Sequence, residues 1–237
     1  MTRLGGLYLV VDPGLAAGPW GVEGVLQRVS RALAGGVDLV QLWAPSSENA
    51  AAFLSPEQAL RLAMGLRVLT LEAGVPLLIG EDVQLAARLG ADGVHLEGSA
   101  PAPAEVRSTL APRLARLQGR GALVGYTCGN DLEKVRWASR AGADYVSFCS
   151  VFPTTSAVSC EIVSLASVRA ARALEPDLVL FASGGITPGN AGDVLDAGAD
   201  GIAVVSAVLK APDPQQAARD FQELLRRRGR HRSGRAV

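Results

Sequence analysis

A five-residue phrase recurs four times along the chain. It reads Gly36-Val-Asp-Leu-Val40, Gly90-Ala-Asp-Gly-Val94, Gly142-Ala-Asp-Tyr-Val146 and Gly198-Ala-Asp-Gly-Ile202, at intervals of 54, 52 and 56 residues. In each copy the glycine closes a helical pattern, as a left-handed cap does. The aspartate then precedes a short apolar run that reads as a buried strand. An interval of about fifty residues holds two strand–helix units, so four quarters specify eight strands.

The spacing predicts strands over 7–11, 37–42, 76–79, 93–96, 123–127, 145–149, 178–182 and 201–205. All are short and rich in Val, Leu and Ile, as parallel strands covered on both faces are. Helical patterns separate them at 22–33, 57–73, 82–89, 104–117, 132–139, 165–174, 188–197 and 214–227. The second of these opens with Ser55-Pro56, a cap followed by proline at the first helical position. Strict alternation argues for α/β with right-handed crossovers. A doubly wound open sheet is the rival. No Gly-x-Gly-x-x-Gly follows the first strand, which argues against a dinucleotide fold. The expectation is a (β/α)8 TIM barrel, a single domain over 1–225, with an arginine-rich flexible tail over 226–237.

Composition sets the remaining bounds. With 237 residues, 49% of them hydrophobic, the chain has material for one large core. No apolar run approaches the roughly 18 residues that cross a bilayer, so no membrane partner is expected. The N-terminus leads from Met1-Thr-Arg straight into the first strand without a cleavage pattern. A cytoplasmic protein is therefore expected. The cysteines, Cys128, Cys149 and Cys160, form no C-x-x-C pair, and His95 and His231 are the two histidines. That argues against structural zinc and for reduced thiols. Basic and acidic residues balance at 23 each, but the last twelve residues hold six arginines and no acid. Without aromatic residues or a nucleic-acid motif, the tail reads as a solvated terminus, and no nucleic-acid partner is expected.

Two runs, 178–186 and 201–206, stop at small residues where a helix begins. The first ends in Ser183-Gly184-Gly185 and the second in Val205-Ser206. Free backbone N–H groups at such turns, with the helix dipole, suit a phosphate. Turns after the last two strands are where this fold usually places one. The same glycines also permit a plain tight turn. Long connections at 12–21, 43–55, 97–103 and 150–163 crowd the same mouth. Gln41, at a strand end, either satisfies backbone groups or contacts a ligand. Trp43 is either a lid or packing. His95 reads as a hydrogen-bonded core residue.

These residues resemble the thiamine phosphate synthase/TenI family. The matching text is Tyr8-Leu-Val-Val-Asp12, Val40-Gln41-Leu42, Gly74-Val-Pro-Leu-Leu78, the phrase from Gly90 to Leu96, Val151-Phe-Pro-Thr154, Ser183-Gly-Gly-Ile186 and the run from Ala197 to Ser206. The resemblance implies a barrel that binds a small-molecule phosphate ester, the phosphate of the thiazole half of thiamine. Gly184, Gly185, Val205 and Ser206 would hold the phosphate, Thr154 and Ser156 the thiazole, and Gln41 and Thr127 the pyrimidine side. In family synthases the thiazole nitrogen displaces pyrophosphate from an aminopyrimidine pyrophosphate. Magnesium and basic side chains answer the departing charge.

The chain departs from that pattern selectively. Where the family reads Gln-x-Arg-x-Lys, this chain has Trp43 and Pro45. Gly80-Glu81 replaces Asn-Asp. Ala100 stands for a second magnesium aspartate, and Ala157 for a lysine. The histidine that TenI proteins carry after the fifth strand is Gly129. The two lysines are Lys134 and Lys210. The resemblance therefore implies a retained thiazole-phosphate half and a degenerate pyrophosphate and magnesium half. No catalytic residue is assigned. Mg2+ is expected only if synthase activity persists, with Glu81 and Glu97 as candidate ligands. Three activities stay open: a thiazole-phosphate binder, a synthase with a rewired metal site, and a TenI-like thiazole tautomerase. A homo-oligomer is compatible with all three.

Overall fold

In a computed structural model describing residues 4–43, 54–114, 121–154 and 161–233, all eight expected strands form. They are β1 (Gly6–Val11), β2 (Leu39–Leu42), β3 (Leu77–Gly80), β4 (Gly93–Leu96), β5 (Leu123–Thr127), β6 (Tyr145–Phe148), β7 (Val179–Ser183) and β8 (Gly201–Val204). The order is sequential, every neighbour is parallel, and β8 pairs with β1. This is the closed (β/α)8 TIM barrel that the repeat predicts.

The described helices are α1 (Gly14–Ala17), α2 (Gly21–Ala34), α3 (Pro56–Ala73), α4 (Val83–Leu89), α5 (Pro103–Leu114), α6 (Leu132–Ala141), α7 (Leu165–Leu174), α8 (Ala191–Asp196), α9 (Ser206–Leu209) and α10 (Pro214–Ser233). Ser55 and Gln58 cap α3 reciprocally, each side chain holding the other's backbone N–H. The helix expected from 188 starts at Ala191, because the Asn190 side chain first accepts the Thr187 N–H at 2.8 Å and shapes a turn. The last helix differs most. It passes the boundary expected at 225 and continues to Ser233. Arg227 pairs with Glu223 one turn back, and Arg228 reaches Asp196 at the end of α8. No helix among the described residues is long and apolar enough to cross a membrane.

The structure explains the recurring aspartate. Each copy sits at the N-terminal end of an even strand and accepts the first or second amide of the odd strand before it. Asp38 Oδ2 takes the Leu7 N–H at 2.8 Å, Asp92 the Leu77 N–H at 2.8 Å, Asp144 the Val124 N–H at 2.7 Å and Asp200 the Leu180 N–H at 3.0 Å. The aspartate N–H returns a bond to a carbonyl of the same strand in all four. A helix side chain completes each clamp: Gln222 on Asp38, Arg67 on Asp92, Arg107 on Asp144 and Arg172 on Asp200. The repeat therefore pins the lower rim four times with one device.

Two apolar layers lie above that rim. The larger packs helices on the outer strand faces. The smaller fills the barrel with Tyr8, Leu39, Leu78, Tyr145, Val179, Phe181 and Ala203. Tyr8, Tyr145 and Phe181 meet edge to face, with centroids 5.2–6.0 Å apart. Gly125 makes this possible, since a Cβ there would lie 2.0 Å from Tyr145 Cζ. On the outside, Leu60, Met64, Val68 and Leu71 form an exposed apolar stripe along α3.

Candidate functional site

The upper rim is built differently at every strand. At β7 the chain turns through Gly184 and Gly185, whose φ angles are 89° and 64°. Both conformations disfavour a side chain. Both glycines also sit under the connection that follows β6. Val151 N–H donates to Ser183 O at 2.9 Å, and Phe152 N–H to Gly184 O at 3.2 Å. A Cβ on Gly184 would lie 2.4 Å from Ser150 Cα, and one on Gly185 2.6 Å from Pro153 O. The glycines thus let two connections stack, which the sequence reading gave only as a tight turn. None of the turn and loop hydrogen bonds among the described residues uses the N–H of Gly184, Gly185, Val205 or Ser206. Ser206 opens α9 directly after β8, so the four amides end adjacent, hydrogen-bonded strands.

A second corner forms where β3, β4 and β5 end. Glu81 sits at φ 61°, one of two non-glycine residues in the left-handed region among those described. Its Oε1 accepts the Glu97 N–H at 2.5 Å. Burial pushes the Glu81 carboxyl up from its usual range; the Glu97 N–H opposes this, the Glu97 charge adds to it, and Lys134 opposes it. Lys134 lies on α6, which Asp131 caps by accepting the Lys134 N–H. From there its Nζ donates to the Glu97 carbonyl. Its charge also reaches His95 and Cys128. The sequence reading placed Lys134 simply in a helix. The signal it lacked is that the first turn of α6 follows β5 closely enough to face the mouth. The second left-handed residue, Ser150 at φ 59°, also lies on this rim, at the end of β6.

Between these corners runs a buried polar chain. Tyr8 Oη donates to Gln41 Oε1 at 2.5 Å and lies 3.0 Å from Tyr145 Oη. Tyr145 Oη lies 3.0 Å from His95 Nδ1, and His95 Nε2 lies 2.9 Å from Thr127 Oγ1. His95 stacks on the Tyr145 ring with centroids 5.6 Å apart. Burial, helped by the Lys134 charge, holds the imidazole down at about 4, so it is neutral near pH 7. The hydroxyls of Tyr8 and Tyr145 are both pushed up by burial, so both keep their protons. His95 is thus the hydrogen-bonded core histidine that its apolar strand suggested. Gln41 and Thr127, expected on the pyrimidine side, terminate one continuous chain through β1, β6 and β4.

Thr154 follows Pro153 in the connection after β6, beside the Gly185 turn. Ser156 and Ala157 lie outside the described residues, as do Pro45 and Cys160. Cys128 is a buried free thiol, pushed up to about 12 by burial, and the half-buried Cys149 has its Sγ 3.8 Å from Ser150 Oγ. Among the described residues no three His, Cys, Asp or Glu side chains gather as a metal site would need.

Comparison with known proteins identifies the family. The profile described as thiamine monophosphate synthase matches residues 7–208. The chain belongs to the thiamine monophosphate synthase family. A thiamine-phosphate synthase of Thermus thermophilus is 39% identical over 224 residues, which is 94% of this chain and 98% of that one. One from Bacillus velezensis is 34% identical over 200 residues, covering 84% and 83% of the two chains. Among solved structures, thiamine phosphate pyrophosphorylase from Pyrococcus furiosus superposes with a TM-score of 0.71 at 27% identity, covering 94% of this chain and 96% of its own. The family match runs from Leu7 in β1 to beyond β8, so both rim corners and the buried polar chain lie inside it.

Proposed function

We propose that this family member binds a thiazole phosphate ester at the turns after β7 and β8, and that its pyrophosphate and magnesium half is degenerate. The supporting observation is the contrast between the two corners. At β7 and β8, the N–H groups of Gly184, Gly185, Val205 and Ser206 take no part in the turn and loop hydrogen bonds among the described residues. Such a cradle suits a phosphate. At β3 to β5, Glu81 is committed to the Glu97 N–H, and a lysine ammonium lies beside both. Two carboxylates already faced by a cation fit a resident magnesium ion poorly, so no step is derived through one.

The second reading is a synthase with a rewired metal corner, favoured by the meeting of Glu81 and Glu97. Magnesium often uses one or two carboxylates plus substrate phosphates, which would require Lys134 to swing aside. The test is calorimetric titration with thiazole phosphate and with aminopyrimidine pyrophosphate, each with and without magnesium, alongside a product assay at saturating substrates. Losing even one preorganised donor typically costs on the order of a hundredfold to a thousandfold. The first reading expects thiazole phosphate to bind and turnover to lie at least about a thousandfold below an intact synthase. Turnover within about tenfold of one would establish the second reading instead. Restoring cations by Trp43→Arg with Pro45→Lys should not rescue the first, because Gly80, Ala100 and Ala157 still differ.

A further inference from the structure

Lys134 stands against the preferences of its own helix. Asp131 caps α6 by accepting the Lys134 N–H at 3.0 Å, so Lys134 falls in the first turn. A cation there meets the positive end of the helix dipole, where an acidic side chain is preferred. Breaches of local preference gather at functional positions. The half-buried side chain instead reaches from α6, which follows β5, to the residue after β4, where Nζ donates to the Glu97 carbonyl. Glu81 is held at the same residue. Its own N–H donates to the His95 carbonyl at 3.0 Å, and its Oε1 accepts the Glu97 N–H at 2.5 Å. Glu97 thus ties a carboxylate through its N–H and an ammonium through its carbonyl. The Lys134 charge acts on Glu81, His95 and Cys128.

Two carboxylates and a backbone carbonyl are the oxygens a hard divalent cation uses. Here the carbonyl is taken by Lys134, whose charge also repels a second cation. Of the 23 basic residues in the chain two are lysines, and one of them stands at this corner. The choice matters, because an ammonium is a compact, strongly hydrated point charge, whereas a guanidinium spreads its charge over a planar fork. We propose that Lys134 is the resident cation of the corner where β3, β4 and β5 end, tied to the Glu97 backbone that also holds Glu81, so that this corner takes up no divalent cation. This rests on the proposed loss of the magnesium half and gives it a physical cause: the place is filled by a side chain of the protein itself.

The experiment titrates manganese alone, as a spectroscopic substitute for magnesium, into the full chain without ligand and counts the free ion by electron paramagnetic resonance. The parent should leave millimolar manganese free. Lys134→Met removes the charge and releases the Glu97 carbonyl, and should bind manganese at least about tenfold more tightly than the parent. Lys134→Gln, which loses the charge with little change in shape, gives the same comparison should the Met variant fold poorly. Lys134→Arg keeps a cation and should behave like the parent. Adding Glu81→Gln to Lys134→Met should abolish the gain, which locates the ion at this corner. A parent that binds manganese as tightly as Lys134→Met, or no gain in either neutral variant, would overturn the proposal. The readings it rests on fail separately. A parent that turns over like an intact synthase while leaving manganese free would overturn the degenerate half and keep Lys134 as its cation. Metal-free titration with thiazole phosphate decides the phosphate reading by itself.

Discussion

Removing one lower clamp should cost several kcal/mol, and Asp92→Ala is the clearest case. The Asp92 carboxylate accepts the Leu77 N–H at 2.8 Å and an Arg67 N–H at 2.7 Å from the same oxygen. Both side chains of the pair are largely covered, at 13% and 19% exposure. Hydrogen bonds to a charged group contribute about 1.5–3 kcal/mol each. Breaking a buried pair from one side costs about 3–5 kcal/mol, because the other charge stays behind. These overlap, since both count the Arg67 contact, and some water can enter at the rim. The expected loss is therefore about 3–5 kcal/mol. For a chain of this size, 1 kcal/mol moves the melting point by about 2–4 °C, so a drop of roughly 6–20 °C is expected. Urea unfolding followed by circular dichroism and tryptophan fluorescence should show a lower midpoint at an unchanged slope. Asp92→Asn keeps an oxygen for Leu77 and loses only the charge, so it should cost about half as much. A loss below about 1 kcal/mol in Asp92→Ala, or equal losses in the two variants, would refute the clamp as a source of stability.

The remaining predictions concern the mouth and the last helix. His95 is depressed from 6.5 to about 4 in the fold. Its contribution is therefore complete above pH 6.5 and lost as the pH falls toward 4, worth about 3 kcal/mol over that span; a His95→Gln variant with an equally steep stability profile there would contradict this. Gly185→Val should weaken thiazole-phosphate binding about tenfold or more, because its side chain meets Pro153 O and Phe152 at a φ of 64°; a folded variant that titrates like the parent would show that the phosphate site lies elsewhere. Truncation after Leu225 removes the Arg228–Asp196 pair, whose side chains are 40% and 56% exposed. Exposed pairs are worth about 0–1 kcal/mol, so the melting point should fall by only a few degrees, and a larger fall would show that the end of α10 packs as part of the barrel.

The fold was legible because its signal repeats. Glycine, aspartate and a strand at four even intervals leave little freedom in strand number or order. What the phrase does chemically was not legible. The arginine partners Arg67, Arg107 and Arg172 lie 25, 37 and 28 residues from their aspartates, on helices whose facing is settled only by closure of the barrel. The length of α10 was not legible because an arginine run reads as a solvated tail, whereas Asp196 and Glu223 give two of those charges partners on the helix surface. At the site, the turns after β7 and β8, proposed to hold the phosphate, were visible as small residues ending apolar runs. The polar chain was not, although all five of its members lie in matched or singled-out stretches. Tyr8 reads as one more apolar strand residue, and Tyr145 as the variable position of the repeat. Only the register, which sets Tyr145 opposite Gly125, turns both hydroxyls into the barrel.

This division of labour bears on how such a site can change. The lower rim uses one device four times, and its aspartates face away from any ligand. The upper rim carries glycines, a glutamate pair, a lysine and a polar chain, each once. Exchanging a charged side chain at the mouth for Trp43 or Ala100 leaves all four clamps and both apolar layers in place. Charges at an open mouth add little to folding, yet they matter greatly to a departing pyrophosphate. The polar chain is the exception, because its members are buried and each satisfies the next. Tyr8, Tyr145 and His95 cannot be replaced singly without leaving an unpaired group inside the barrel. Any change along this chain is therefore opposed by stability, whatever its role toward a ligand. Charged positions at the mouth have no such tether, which is what the proposed loss of the pyrophosphate and magnesium half requires.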